Sequence, residues 1–241
     1  MIWVLKILIA RVLCSRVPAL LVSRLTRHRI RNFGLLFDTS DPAISSSVEA
    51  SLFWQIYEKA EIRFVRRYFR GCSTVVDLGS SLGFAAAHAL DTMAPGGRLI
   101  SVEANPGIIP SLRRTLDEHA GGRQISVVNA AIAYGRDSIL LQPGVETWAH
   151  KLGEDGVEVR ATTLGAILKE HEVVDYCLLA DIEGIEWELV EQDSSALAGC
   201  QRAVVELHDR GADSAESLIG AFERLGFKLV DRRARVVALE R

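Results

Sequence analysis

The residues best placed to do chemistry are acids that close apolar runs, and the first of them stands before a glycine-rich turn. In the stretch TVVDLGSSLG, residues 74–83, Asp77 precedes Gly79 and Gly83 in the pattern D-x-G-x-x-x-G. Two glycines flanking a turn let a ligand approach the backbone where a Cβ would obstruct it. A pyrophosphate site would instead want G-x-G-x-x-G and no acid beside it. The acid therefore favours a cationic or amine-bearing ligand. A second acid, Glu103, ends the run RLISVE, where a carboxylate can accept both hydroxyls of a ribose. The run QISVVN ends in Asn129, whose amide, beside the small residues Ala130 and Ala131, could read an adenine edge. DYCLLAD ends in Asp181 with Glu183 close behind it, and RAVVELH carries Glu206 and His208.

Residues so far apart in the chain can meet only if the apolar runs lie side by side as strands. Val75 and Val76 are β-branched, and their run is apolar on both faces, as a strand covered by helices should be. Strands are expected at 74–77, 98–103, 124–129, 175–181 and 202–208, with helices at 84–90, 106–118, 163–170, 186–191 and 215–225 between and after them. FKLV and VVALE, around a charged turn at 231–235, predict an antiparallel edge hairpin. The fold class is α/β: a doubly wound, mostly parallel seven-stranded sheet with a C-terminal antiparallel hairpin, which binds ligands at the carboxyl ends of its strands. Ser80 or Ser81 is expected to cap the helix from Phe84, and Asn105 the helix at 106–118. Ser46-Ser47-Val48-Glu49 matches a capping box, and Glu61 on the following helical run reads as a solvated charge or a group turned toward the ligand. Residues 134–160 predict an insertion of short strands and turns, with Trp148 and His150 as candidates for acceptor contact or for packing.

The chain's 241 residues allow one main domain with trimmings, and 49% hydrophobic content suffices for a buried core. Its net charge of -3 makes no case for a nucleic-acid partner. The charge is unevenly placed, however: residues 1–32 hold Lys6, Arg11, Arg16, Arg24, Arg27, Arg29 and Arg31 and no acid. Cations interrupt every apolar run there, which excludes a bilayer span and makes a poor signal peptide. Two readings stand for this arm: peripheral contact with an anionic membrane surface, or a helix that covers the domain or a partner. Residues 33–44 read as a linker, giving an arm and linker at 1–44 and a catalytic domain at 45–241. Cys14, Cys72, Cys177 and Cys200 form no C-x-x-C pair and read as reduced core thiols, which suits a cytoplasmic protein, whether free or peripheral at the inner membrane face.

The first motif resembles that of class I S-adenosylmethionine-dependent methyltransferases. Across residues 54–210, VVDLGSSLG, SVEANP, VVNAAI, ATTLGAIL, DYCLLADIEGIEWELV and VVELH together resemble the FkbM family of these enzymes. The resemblance implies a Rossmann-like methyltransferase fold, S-adenosyl-L-methionine as cofactor, and methyl transfer to a hydroxyl of a sugar, glycan or glycosylated natural product. It places Asp77, Gly79, Ser80 and Gly83 at the methionine end, Glu103 at the ribose, and Asn129 with Ala130 at the adenine. Asp181, Glu183, Glu206 and His208 would border the reaction centre. Two departures stand out: Ser80-Ser81 where the family prefers Ala-Asn, and Ala180 where it usually has a lysine.

A sugar hydroxyl is too weak an acid to ionise unaided, so a base must share its proton. His208 is the first candidate because its ordinary pKa lies near neutrality, and Asp181 the second, with Glu183 beside them. Oxygen-rich Asp181, Glu183 and Glu206 would alternatively suit a hard divalent cation, although the spacing demands none and no metal is assigned. A non-catalytic scaffold of the same fold and a nucleotide-dependent oxidoreductase are the competing functions. Oligomeric state is not legible.

Overall fold

The computed structural model describes residues 12–141, 156–211 and 213–241. Trp148 and His150 lie outside the described residues, as do Lys6 and Arg11. The chain divides into two compact units, 1–59 and 60–241.

In the first unit, helix α1 (Arg16–Thr26) ends at Arg27, whose left-handed backbone turns the chain into β1 (Arg29–Asn32). This strand pairs antiparallel with β2 (Leu35–Asp38), so the segment expected as a linker, 33–44, carries the turn and second strand of a hairpin. Gly34, at φ 97°, supplies the turn between the two strands. Helix α2 (Ser46–Phe53) is capped by Ser45, whose side chain accepts from Val48 N. The expected capping box is not formed. Glu49 is buried instead and accepts from the Ser23 and Thr39 hydroxyls, with His28 Nδ1 2.6 Å from its Oε1. A buried carboxylate needs such partners, and these three hold helix, hairpin and helix together.

The second unit begins along α3 (Lys59–Tyr68) and alternates strand and helix: β3 (Thr74–Leu78), α4 (Phe84–Thr92), β4 (Arg98–Glu103), α5 (Ile109–His119) and β5 (Gln124–Asn129). Short strands β6 (Ala131–Ile132), β7 (Ser138–Leu141) and β8 (Val157–Thr162) form a small separate sheet, the described part of the expected insertion. Then follow α6 (Leu164–Glu170), β9 (Tyr176–Ala180), α7 (Glu186–Gln192), β10 (Cys200–Glu206), α8 (Ala215–Arg224), β11 (Lys228–Arg233) and β12 (Val236–Glu240).

The main sheet has seven strands in the order β11-β12-β10-β9-β3-β4-β5, and β12 alone runs against its neighbours. β3 sits at the point where the order reverses. Right-handed crossovers leaving it in opposite directions put α4 and α5 on one face and the later helices on the other, a doubly wound sheet. Because both faces are covered, every residue of β9 is buried, as are Val75 to Leu78 of β3.

Three local expectations are corrected. Gly83, at φ 80°, occupies the N-cap of α4 without a side-chain cap, so neither Ser80 nor Ser81 performs that role. A Cβ at Gly83 would lie 2.7 Å from Leu112 of α5, so the glycine lets these helices pack. Helix α5 starts at Ile109 rather than at Pro106, because Asn105 accepts from Gly107 N and closes a turn ahead of it. The cysteines also differ: Cys72 and Cys177 are joined in a disulfide, while Cys14 and Cys200 are free. β9 pairs with β3 so that Cys177 stands beside Val75, within reach of the turn that carries Cys72. Denatured without reductant, the protein is expected to expose two titratable thiols, from Cys14 and Cys200, and two more after reduction. Full thiol reactivity before reduction would contradict the bridge.

Candidate active site

Adjacent parallel strands bring their carboxyl ends into one row, and the acids that end them therefore converge. A single cleft above β4, β3 and β9 is lined by Gly79, Ser81, Glu103, Ala130, Asp181 and Glu183, among others. Gly79, at φ 84°, takes the chain out of β3, and a Cβ there would meet the Asp181 carbonyl oxygen at 1.8 Å. Glycine is thus required by contact as well as by conformation. Ser81 and Glu183 are non-glycine residues with positive φ, 49° and 54°, and both face the cleft. Strained backbone of this kind costs free energy and is characteristic of ligand sites.

Glu103 anchors one end. Its Oε2 accepts from Ser81 N at 2.8 Å and its Oε1 from Asn105 N at 2.6 Å, so one carboxylate ties the loop after β3 to the loop after β4. Burial raises its pKa, and these backbone donors oppose the rise. The remaining lone pairs face the cleft, where a ribose diol would find its acceptor. Ala130 leaves room beside it for a flat ring. Asn129 is exposed, and its amide nitrogen donates to the carbonyls of Glu103 and Ala104, tying the end of β5 to the loop after β4. Asp77 lies beneath the loop, not on its surface. It is 2% exposed, its Oδ2 has no hydrogen-bond partner, and burial raises its pKa to about 7. Ser80, also buried, donates to the Asp77 carbonyl and accepts from the Ser101 hydroxyl. An orphaned carboxylate oxygen below a glycine loop suits a cationic ligand above it.

Beside Asp181 and Glu183 of the cleft, His208, two residues beyond the end of β10, faces three acids. Its Nδ1 lies 3.1 Å from Glu186 Oε1, and its Nε2 lies 3.5 Å from Glu183 and 3.9 Å from Asp181. Glu186 is fully buried and accepts from Ile182 N and Gly184 N, so it holds the turn after β9 as well as the imidazole. Trp187 Nε1 donates to the His208 carbonyl and fixes the backbone. Burial alone would lower the His208 pKa, but the hydrogen bond to Glu186 and the three nearby carboxylates outweigh it and hold it above the ordinary value. Asp181 is raised, first by burial and then by repulsion from Glu206 and Glu183, with His208 opposing. Asp181, Glu183 and His208 each offer a ligand atom within 4.8 Å of the others, so this corner has the geometry to hold a cation.

Sequence reasoning passed over Glu186 and left Glu61 undecided. Glu61 is buried on α3 and hydrogen-bonds Glu206, and burial followed by that neighbour's charge raises its pKa. Its spacing from Phe64 and Val65 on one helical face was the available signal. Glu186 carried only its place at the first turn of a helix. Ala180 is fully buried in the apolar cluster that holds Leu178 and Ile182. Alternate residues of a strand share a face, so position 180 points away from Asp181.

A doubly wound sheet with β12 reversed, a glycine loop after the central strand and an acid ending the next one fit an α/β protein that binds a nucleoside-bearing ligand. Residues 77–229 match the family described as Methyltransferase FkbM domain, and the chain belongs to this family of S-adenosylmethionine-dependent methyltransferases. Among curated proteins none matches the chain in sequence. Solved structures similar to it include a protein of the NADB-Rossmann superfamily from Streptococcus agalactiae, 14% identical over 75% of this chain and 67% of that one, with a TM-score of 0.45. Streptococcus pneumoniae Sp1610 in complex with S-adenosyl-L-methionine is 13% identical over 75% and 72%, with a TM-score of 0.46. Fibrillarin from Aeropyrum pernix, also with S-adenosyl-L-methionine, is 15% identical over 71% and 66%, with a TM-score of 0.44. Identities and scores of this size carry no argument about acceptors.

Gly79→Ala is expected to abolish S-adenosylmethionine binding in calorimetry and to lower stability by more than about 1 kcal/mol. Glu103→Gln should keep the fold and weaken binding about tenfold or more, the worth of a charged hydrogen bond. Unchanged affinity in both variants would remove the cofactor from this cleft.

Proposed function

We propose that the protein transfers a methyl group from S-adenosylmethionine to a hydroxyl of a sugar, a glycan or a glycosylated natural product, with His208 as the base. The observation that supports this reading is the placement of His208 Nε2 3.5 Å from Glu183 and 3.9 Å from Asp181, two residues that line the cleft, while Nδ1 is tied to Glu186. With Nδ1 committed as donor, the neutral ring presents Nε2 as an acceptor. The cofactor, when bound, supplies an electrophilic methyl on a sulfonium. The chain's part is to hold the acceptor oxygen in line with that methyl and to take its proton. Nε2 takes the proton as the new bond forms, and Glu186, Asp181 and Glu183 stabilise the resulting imidazolium. Asp181 and Glu183 also offer oxygen atoms to neighbouring hydroxyls, which favours a polyol over a simple alcohol. Asp77 and Glu103 serve the cofactor end.

Since the base must be unprotonated and its neighbours raise its pKa, kcat/KM is expected to rise with pH along a limb above neutrality. Removing the buried anion lowers that pKa, so Glu186→Gln should move the limb to lower pH by about one pH unit. His208→Ala should lower kcat about a hundredfold or more without loss of cofactor binding. Methyl-transfer assays on a panel of sugars and glycans, with the product bond identified by mass spectrometry, check both. Methylation of nitrogen or carbon only, or a pH profile unmoved by Glu186→Gln, would overturn the reading.

A further inference from the structure

The first unit carries a surface that none of the catalytic reading uses. Helix α1 buries Ala19, Val22 and Ser23 and presents the opposite side to solvent. On that side stand Val17, Leu20, Leu21 and Leu25, exposed by 68%, 45%, 53% and 83%. At 100° per residue, positions 17, 20, 21, 24 and 25 fall within less than half a turn of the helix, so they form one stripe. Arg24 lies in the middle of the stripe, and Arg16 flanks it at the first helical position. Arg27 follows at the C-cap, and the outward-facing Arg29 and Arg31 of β1 continue the positive charge. No acid precedes Asp38 in the chain. Among the described residues no helix is long and apolar enough to cross a membrane.

We infer that this face of α1 lies in the headgroup region of an anionic lipid bilayer, with Val17, Leu20, Leu21 and Leu25 entering the acyl boundary and the five arginines binding lipid phosphates. Four large apolar side chains held toward water are costly to leave uncovered, and a bilayer covers them without a matched partner surface. Charge decides between the occupants. A second copy of the same face would set Arg24 and its neighbours against their own kind, whereas phosphodiesters offer each guanidinium a paired acceptor. Long arginine stems lie along apolar surface while their heads reach phosphate, so cations inside an apolar stripe are no obstacle. This inference goes beyond the catalytic reading and needs none of it.

Flotation of the full chain with vesicles tests it, using phosphatidylcholine alone and phosphatidylcholine mixed with phosphatidylglycerol. Binding to the mixed vesicles is expected to be about tenfold tighter or more, and to weaken as salt rises. Leu21→Asp combined with Leu25→Asp should reduce binding about tenfold or more, and Arg24→Glu with Arg27→Glu should remove the preference for anionic lipid. Circular dichroism spectra and thermal unfolding of the variants should match the parent's, which shows that they fold, and S-adenosylmethionine affinity should be unchanged. Equal binding to both vesicle types, or variants that bind as the parent does, would overturn the inference. So would self-association in sedimentation that Leu21→Asp with Leu25→Asp abolishes, since it would give the face to a second copy. Vesicle binding without cofactor binding would leave this inference standing and remove the catalytic one.

Discussion

Negative charge gathered at the carboxyl ends of neighbouring strands is the constraint on which the second unit depends. Asp77, Glu103, Asp181 and Glu206 end or nearly end β3, β4, β9 and β10, and parallel pairing places these strand ends in one row. Burying carboxylates together is unfavourable unless protons, backbone donors or a cation compensate. The chain uses the first two. Backbone N–H groups of Ser81 and Asn105 serve Glu103, those of Ile182 and Gly184 serve Glu186, and the raised pKa values of Asp77 and Asp181 record what is left over. A cofactor bearing a sulfonium and an ammonium supplies the third.

From this constraint the two ends of the cleft acquire different chemistry. Around Glu103 and Gly79 the acids are tied to backbone, and the glycine turn admits a ligand close to the main chain. Around His208 they remain as side chains facing an imidazole, which suits the movement of a proton. Gly79 joins the two ends, because its missing Cβ lets the loop after β3 rest against the Asp181 carbonyl.

Much of this was legible in the sequence because each central strand is apolar on both faces and stops at a polar residue. The strands at 98–103 and 124–129 have the expected bounds, and β12 is the one reversed strand. Contacts that depend on long-range packing were not legible. Cys72 and Cys177 are 105 residues apart, and only the pairing of β3 with β9 brings them together. Glu49 looked like half of a capping box because the local pattern fits one, yet tertiary partners claim its carboxylate. Glu186 has no local signature of its task, since its importance comes from a histidine 22 residues downstream. Asn129 ends β5 as expected, but no local pattern shows that its amide nitrogen also donates to two carbonyls of the neighbouring loop.

The central claim is that a cation completes this acidic cleft, and proton release on cofactor binding tests it most directly. Burial raises the Asp77 pKa to about 7, and a sulfonium and ammonium bound beside it should lower that pKa and release protons. Titration of S-adenosylmethionine into the protein at neutral pH, in buffers of contrasting ionisation enthalpy, should give apparent binding enthalpies that differ by the buffer's share. Identical enthalpies in every buffer, proton uptake, or no binding heat at all would contradict the account.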